Sequence, residues 1–375
     1  MKKIGIICEY NPFHNGHLYH LEKIKEMYPD SLIVLVMSSS FTQRGEISIL
    51  NKWEKTEIAL QHGIDLVIEL PFVFASQSAD IFSYGAIKLL KALQVDAIVF
   101  GSESNDPQKL INIAHVQLEN KEYNNTVKTY LDKGENYPTA MSKALSNICG
   151  DSVTLPNDIL GLSYTKEIIK QNTNIKIVTI KRTNDFHNKE LNNTIVSASA
   201  IRNNLNDENL YRYVPDITYK FLKEKKQNNN YFNYLKYKIL SEQEKISKYQ
   251  TVDEGIHNRV LKYIEEVNSI EELIQKIKTK RYTYNKLHRM FTHILCGFTK
   301  EDAKDIEINY IRVLGFNNKG IKHLNKIKKE TLLPIITNFK KEYEHLLNQE
   351  TKIDKIYSLI TNDYIDYKRK PIKFN

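Results

Sequence analysis

The sequence predicts an α/β protein: a doubly wound parallel sheet in the first half, followed by a mainly α-helical, basic domain. Short apolar runs alternate with helical patterns over the first 204 residues, strand-like runs nearly vanish after them, and the basic charge is concentrated in the second half. A chain of 375 residues is long enough for two cores. We therefore predict two domains, at residues 1–204 and 205–375.

Five strands are predicted in the first half. They are nearly continuous apolar runs rich in Ile and Val, as expected of a parallel sheet covered on both faces. The predicted strands are Lys3–Cys8, Leu32–Met37, Leu66–Leu70, Ala97–Gly101 and Ile175–Ile180. The predicted helices among them are His17–Met27, Lys52–Gln61, Ala79–Gln94 and Ile159–Lys170. Ligands of such sheets bind at the carboxyl ends of the strands, so the residues that follow each strand form the candidate site.

The second half differs in composition and charge. Helical patterns dominate it, for example at Tyr231–Lys245, Ile256–Glu266 and Ile270–Lys278, and an Asn-rich stretch at Gln227–Asn230 is predicted to be a loop. Residues 205–375 hold 33 Lys and Arg against 23 Asp and Glu, whereas the first 204 residues hold 21 against 22. Phosphates attract Lys and Arg, so a nucleic acid is a candidate partner. Alternatively, the many lysines reflect a genome whose base composition enriches Lys, Asn, Ile and Tyr in all of its proteins.

Several classes of protein are disfavoured. The longest apolar runs, such as Leu32–Met37, are too short to cross a bilayer, and the N-terminus lacks the cleavage site of a signal peptide. The three cysteines are widely spaced, which suggests neither a disulfide framework nor a zinc site. We predict a cytoplasmic protein with no membrane association, no protein-bound metal and no obligate protein partner.

The most informative segment follows the first strand and contains Pro12, His14, Gly16 and His17. Pro12 should end the strand, and Gly16 should let a ligand approach the backbone. His14 and His17 lie at the positive end of the first predicted helix, where both imidazoles can donate hydrogen bonds to a phosphate. We interpret the segment as a nucleotide site. A capped helix with two incidental histidines is the alternative.

This segment resembles the His-x-Gly-His motif of the nucleotidylyltransferase superfamily, which has a second signature, Ile-Ser-x-Thr-x-Ile-Arg. The segment Val196-Ser197-Ala198-Ser199-Ala200-Ile201-Arg202 is similar to that signature, with Ser199 at the threonine position. Ser199 is predicted to cap a helix, and Arg202 to bind phosphate as a planar cation. The resemblance implies a Rossmann-like fold with an ATP site.

Further segments resemble those of a narrower family, the tRNA(Met) cytidine acetate ligases. They are Ile7–His17, Ser39–Glu46, Asp65–Pro71, Phe100–Glu103, Leu155–Gly161 and Lys181-Arg182. That family is understood to activate acetate with ATP as acetyl-adenylate and to acetylate the wobble cytidine of elongator tRNA(Met), giving N(4)-acetylcytidine. The resemblance therefore implies ATP, acetate and elongator tRNA(Met) as substrates, with Mg²⁺ bound through the ATP phosphates.

The resemblance also implies roles for individual residues. His14, His17 and Arg202 would be catalytic. The ATP contacts would be Ile7, Cys8, Glu9, Tyr10, Asn11, Pro12, Phe13, His14, Asn15, Gly16, His17, Leu18, Tyr19, His20, Gly101, Asn157, Arg182 and Ser199. Locally, Gly101 would avoid a collision with adenosine, Asn157 would offer a donor and an acceptor, and Arg182 would clamp the triphosphate.

Two basic features have open roles. Gln43 and Arg44 follow the second strand, where Arg44 could bind a carboxylate or a phosphate, or could order its own loop through Glu46. The densest basic cluster of the second half is a candidate tRNA contact or merely a solvated helix face. It comprises Lys322, Lys326, Lys328 and Lys329.

Two other functions remain as alternatives. One is a nucleotidyltransferase that acts on a small phosphorylated cofactor precursor, which the long basic second half disfavours. The other is a non-catalytic tRNA-binding protein, which the retained His14, His17 and Arg202 disfavour. The sequence contains no Lys-Met-Ser-Lys-Ser loop, which weighs against an aminoacyl-tRNA synthetase. No acetate pocket is evident, so the identity of the acid depends on the resemblance.

Overall fold

The computed structural model describes residues 1–150, 152–182, 195–225 and 230–375. Within these ranges eight strands form one sheet: β1 (Lys3–Cys8), β2 (Leu32–Ser38), β3 (Leu66–Leu70), β4 (Ala97–Ser102), β5 (Lys176–Lys181), β6 (Ile311–Phe316), β7 (Ile335–Ile336) and β8 (Ile372–Lys373). Of the loop predicted at Gln227–Asn230, residues 227–229 lie outside the described ranges.

Helices cover the sheet and form the rest of the fold. In the first half they are α1 (Asn15–Met27), α2 (Lys52–Gln61), α3 (Phe72–Ala75), α4 (Ala79–Ala92), α5 (Pro107–Glu119), α6 (Lys121–Asp132), α7 (Tyr137–Cys149), α8 (Pro156–Lys170) and α9 (Ala198–Asn203). In the second half they are α10 (Asp216–Glu224), α11 (Tyr231–Ser241), α12 (Ile256–Tyr263), α13 (Ile270–Ile277), α14 (Tyr284–Cys296), α15 (Asn318–Ile327) and α16 (Glu344–Thr361). None of those in the described ranges combines the length and apolar character needed to cross a membrane.

The strand order confirms the predicted doubly wound sheet. The sheet runs β5-β4-β1-β2-β3-β6-β7, with β8 beside β6. The first five strands are mutually parallel and extend outward from β1 in both directions. The direction of winding reverses between β1 and β4, and a crevice at such a switch point is where ligands of this fold bind.

The continuous apolar runs follow from burial on both faces of the sheet. In β2, Leu32, Val34 and Val36 pack into one core, with residues of α4, α5 and α8. The intervening Ile33, Leu35 and Met37 pack into a second core on the other face, with residues of α1, α2 and α9. Because side chains alternate between faces, every position of such a strand must be apolar.

The second half is mainly helical, as predicted, but three of its strands extend the sheet. β6 pairs antiparallel with β3, and β7 and β8 pair with β6. The expectation that strands nearly vanish after residue 204 is therefore wrong for Ile311–Phe316, whose six residues are all buried. A buried backbone segment must satisfy its N–H and C=O groups, and β3 provides partners for β6. The domain division at residue 204 stays a prediction.

A buried ion network also links the two halves. The Lys52 ammonium on α2 lies 2.9 Å from the carboxylate of Glu69 on β3 and 2.6 Å from that of Asp354 on α16. These side chains are at most 3% exposed. Phe41 and Phe72 of the first half pack into a third core, formed mainly by α11–α14 and α16. The helices after residue 204 therefore pack directly against the sheet domain.

Candidate active site

A cleft of about 1250 Å³ opens at the carboxyl ends of β1, β4 and β5. Its sheet side is lined by the segments that follow these strands, including His14, His17 and Arg182. Its opposite wall comes from the helical half, where α14 contributes Lys286 and Arg289. The cleft thus lies at the carboxyl ends of the strands, as the sequence predicted for the ligand, and at the switch point of the sheet.

His14 and His17 cap the start of α1 reciprocally. The Nδ1 of His14 accepts a hydrogen bond from the Gly16 N–H at 3.0 Å, and the Nδ1 of His17 accepts one from the His14 N–H at 3.2 Å. A neutral imidazole carries a single ring proton, so acceptance at Nδ1 assigns that proton to Nε2 in both rings. Each histidine is therefore a helix cap at one nitrogen and a hydrogen-bond donor at the other.

Burial keeps these histidines uncharged. It lowers the pKa of His14 to about 3, with further lowering by Arg182 and Arg202. Burial, followed by the neighbouring His14, also holds the pKa of His17 well below its usual range. At neutral pH the two rings can donate hydrogen bonds to phosphate oxygens but add no positive charge. Neutralising a triphosphate would fall to the arginines of the cleft.

Gly16 is required by the histidine pair itself. A Cβ at this position would lie 2.8 Å from Cε1 of His14, closer than such atoms approach. This contact is a constraint within the protein, and the close approach of a ligand to the backbone at Gly16 stays a prediction. Any larger residue at position 16 would displace the His14 ring from its cap.

Arg202 reaches the cleft from α9. Its guanidinium donates to the Asn11 carbonyl at 2.7 Å and to the Glu46 carboxylate at 2.6 Å. Ser197, and not Ser199 as expected, caps α9, because its Oγ accepts from the Ala200 N–H at 3.1 Å. Ser199 lies in the first helical turn and lines the cleft beside Arg202. Its hydroxyl is thus not needed for the cap and can face a ligand.

The loop that carries Gln43 and Arg44 lies between the sheet and the helical half. The side chain of Gln43 donates to the Gln77 carbonyl at 2.6 Å. The next glycine, Gly45, has φ +81°, and a Cβ there would lie 2.5 Å from the Arg289 backbone nitrogen. The loop therefore packs against α14, which places Arg44 in the cleft near Arg289.

Asn157 and Gly101 position neighbouring residues. The Asn157 amide nitrogen donates to the Glu103 carboxylate at 2.6 Å, which ties the start of α8 to the end of β4. A Cβ at Gly101 would lie 3.2 Å from Cγ of Arg182, so this glycine makes room for the arginine and not only for a ligand. The Nε of Arg182 is buried with no hydrogen-bond partner in the ranges that the structure covers. Arg182 itself lines the cleft.

The family follows from sequence comparison over the whole chain. A family model described as HIGH Nucleotidyl Transferase matches residues 1–371. Proteins named tRNA(Met) cytidine acetate ligase from Caldicellulosiruptor saccharolyticus and Anoxybacillus flavithermus are each 40% identical to it. The matches cover 99% and 100% of this chain and 98% and 100% of those proteins. The chain belongs to the tRNA(Met) cytidine acetate ligase family.

Two solved structures related to this ligase family have the same fold. The TmcAL protein of Thermotoga maritima without ligand gives a TM-score of 0.92, and the same protein bound with alpha-thio ATP gives 0.90. Both are 30% identical to this chain, and both matches cover 100% of it. The matches cover 100% of the ligand-free structure and 99% of the alpha-thio ATP complex. The nucleotidyltransferase fold is therefore confirmed over the full length.

Not every residue that the resemblance to the ligase family implied lines the cleft. Phe13 is fully buried and stacks on His62 at 4.8 Å between ring centroids, and the Asn15 side chain donates to the Arg212 carbonyl at 2.8 Å. Pro12 and Leu18 are likewise absent from the lining. These four residues do not line the cleft, whereas the other ten of the segment Ile7–His20 do.

The lysine cluster lies away from the cleft. Lys322, Lys326, Lys328 and Lys329 are exposed, as a contact with tRNA requires, but they belong to α15 and the turn after it. This helix packs where β3 and β4 begin: the Asn317 backbone N–H bonds to the Asp65 carbonyl at 3.0 Å, and the His323 ring to the Leu93 carbonyl at 2.8 Å. The cluster is therefore at the amino end of the strands, opposite the cleft.

Sequence reasoning missed residues that shape the cleft from a distance. Lys55 is buried, and its ammonium donates to the carbonyls of Glu9, Ser38 and Ser39 at 3.1, 2.7 and 2.7 Å. It thereby holds the ends of β1 and β2 together beneath the site.

Arg289 was missed because no local motif marks it. Only the tertiary structure shows that Arg289 lies on the helical wall of the cleft.

Proposed function

We propose that the chain activates acetate with ATP as acetyl-adenylate and transfers the acetyl group to the wobble cytidine of elongator tRNA(Met), giving N(4)-acetylcytidine. The observation that carries the proposal is the pair of Nε2–H donors at the switch point, in a chain related over its full length to proteins named for that reaction.

In the first step, an acetate oxygen attacks the α-phosphorus of ATP in line. The new O–P bond forms as the bond to the bridging oxygen breaks, and pyrophosphate leaves. Such a step needs positioning and charge stabilisation more than covalent chemistry from the protein. His14 and His17 donate to the phosphate oxygens whose charge grows in the transition state. Ser199, Arg202 and Arg182 hold the leaving pyrophosphate.

Mg²⁺ supplies additional neutralisation of the phosphates when ATP binds. Within the described ranges, no group of three or more His, Cys, Asp or Glu is placed to hold a metal ion. Any Mg²⁺ would be held through the phosphate oxygens of ATP. The arginines of this chain contact the same phosphates from the protein side.

In the second step, the exocyclic amine of the cytidine attacks the acyl carbon. The bond between the acyl carbon and the AMP oxygen breaks, AMP leaves and the amine loses a proton. Because an exocyclic amine is a weak nucleophile, exclusion of water from the adenylate favours transfer over hydrolysis. The target base must leave the anticodon stack to reach the cleft. Residues 205–375, which hold the basic surplus, supply most of the tRNA surface.

ATP–pyrophosphate exchange with a panel of small carboxylates tests the first step. The proposal predicts exchange that depends on acetate and needs no tRNA. A cofactor nucleotidyltransferase would instead require a phosphorylated co-substrate, and a non-catalytic tRNA-binding protein would give no exchange with any acid.

A further inference from the structure

Two cations on the helical wall of the cleft are not used by the proposed adenylation chemistry. Lys286 and Arg289 are three residues apart near the start of α14, which puts them on the same face of the helix. Both line the cleft, opposite the sheet-side residues assigned to ATP. Neither follows a strand or belongs to a nucleotide-binding motif.

Three carboxylates that line the cleft already have basic partners. Glu46 pairs with Arg202 at 2.6 Å, Glu254 with Arg281 at 2.8 Å and Asp253 with Lys300 at 3.0 Å. In the described ranges, no carboxylate forms an ion pair with Arg289. Burial, followed by the like charge of Arg44, lowers the pKa of Arg289 to about 10.

The position of this wall is fixed by packing. The Thr292 hydroxyl of α14 donates to the Gly45 carbonyl at 2.5 Å, and Gly45 leaves no room for a Cβ against the Arg289 backbone. The Lys286 ammonium lies 4.0 Å from the centre of the Tyr282 ring. The helix that carries both cations, and the Lys286 ammonium itself, are therefore held in place before any ligand arrives, which lowers the entropic cost of binding an anion.

The cleft has room for a second occupant beside ATP. Sites for small molecules usually measure roughly 300–1,000 Å³, and this cleft measures about 1250 Å³. An enzyme that modifies a base must admit that base while the sugar–phosphate backbone stays at the entrance. Cations on the wall opposite ATP are placed to contact that backbone.

We propose that Lys286 and Arg289, with Arg44 beside them, bind the backbone phosphates that flank the acceptor nucleotide while its base enters the cleft. This inference rests on the proposed function, because it takes the RNA to be the acceptor. The competing occupant for the same cations is the small carboxylate substrate.

The salt dependence of tRNA binding tests this inference. Each phosphate contact in a single-stranded loop contributes about 0.7 to the slope of log Kd against log salt concentration. Arg289→Gln and Lys286→Gln should each lower the slope for an elongator tRNA(Met) transcript by about that amount, and Arg289→Lys should keep it. Lys176→Gln is the matched control, because Lys176 is an exposed cation at the start of β5, at the far end of the sheet. This control should leave the slope unchanged.

An unchanged slope in folded Arg289→Gln and Lys286→Gln would overturn the inference, and so would an equal change in Lys176→Gln. A raised KM for acetate in tRNA-free exchange, together with an unchanged slope, would assign the cations to the carboxylate instead. Thermal unfolding shows whether each variant is folded. If Arg289→Gln does not fold, the slope measured for Lys286→Gln decides the test. Failure of the proposed function would be a different result: the unmodified chain would then show no acetate-dependent ATP–pyrophosphate exchange.

Discussion

The Nδ1 atom of His17 accepts the backbone N–H of His14 at 3.2 Å, so the second histidine of the motif holds the first in place. His14 in turn caps the helix through the Gly16 N–H. Alanine at either position would remove a cap and a phosphate donor together. The two effects can be separated because other residue types cap helices as well as histidine does.

Substitutions that keep the cap isolate the chemical role. Asn is among the best residues at the N-cap, and Gln three residues later completes a capping box. We expect His14→Asn and His17→Gln each to slow acetate-dependent ATP–pyrophosphate exchange by about tenfold to a hundredfold, as for loss of one transition-state donor. Their melting temperatures should stay close to that of the unmodified chain. Exchange at a near-normal rate in both variants would remove the histidines from the mechanism.

The two serines of the second motif should behave differently. Ser197→Ala removes the cap of α9 and is expected to cost about 1 kcal/mol of unfolding free energy. Ser199→Ala leaves the cap intact, so we expect a smaller loss of stability but a higher KM for ATP. Urea unfolding and exchange kinetics on the two variants check this. A larger stability loss in Ser199→Ala than in Ser197→Ala would contradict the assignment of the cap.

Buried neutral histidines should make the fold sensitive to acid. The pKa of His14 is lowered to about 3 and that of His293 to about 4, mainly by burial, whereas an unfolded chain titrates near its usual value of about 6.5. Below about pH 6.5 the unfolded state therefore binds protons that the folded state does not, and stability falls as the pH falls towards 4. Each histidine contributes up to about 1.4 kcal/mol per pH unit in that window. Urea unfolding between pH 7.5 and 5 measures the slope, and His14→Asn should reduce it.

The buried network around Lys52 predicts that the two halves fold together. Lys52→Met would leave the carboxylates of Glu69 and Asp354 without their cation, at a cost of about 3–5 kcal/mol. Lys176→Met, at an exposed position, should change stability by less than about 0.5 kcal/mol. A small effect of Lys52→Met would mean that the network is unimportant.

The same contacts make a fragment that ends at Asn204 a test of the domain division. Such a fragment would lack β6, the edge partner of β3, and Asp354, a partner of Lys52. We expect it to show no cooperative unfolding transition. A cooperative transition would instead support a first domain that folds alone and ends at residue 204.

The sequence predicted the sheet of the first half well because its signals are local. The five strands have the predicted limits or differ by one residue, because runs rich in Ile, Val and Leu are a local signal of a sheet covered on both faces. Three helices between β4 and β5 were not predicted, although Asp106, Asn120 and Asn136 cap them before amphipathic segments. β6 was missed because Arg312 interrupts its apolar pattern. The carbonyls of Tyr367 and Arg369 accept hydrogen bonds from its buried guanidinium.

The residues of the candidate site, too, could be predicted only where a local pattern marks them. His14, Gly16 and His17 were found because their spacing is a local signal. The cap of α9 was misassigned because Ser197 and Ser199 both suit an N-cap and only the backbone geometry separates them. The pairing of Arg202 with Glu46, and the position of Arg289 beside Arg44, join residues far apart in the chain. No local pattern encodes such contacts.

The central claim is that this chain transfers the acetyl group of acetate to a cytidine of tRNA. The most direct test is to incubate the full chain with ATP, Mg²⁺, isotopically labelled acetate and an elongator tRNA(Met) transcript, and to analyse the nucleosides by mass spectrometry. We expect labelled N(4)-acetylcytidine at the wobble position, formed only when ATP is present and strongly reduced in His14→Asn. Unmodified cytidine at that position, from a chain that is folded and binds the tRNA, would contradict it.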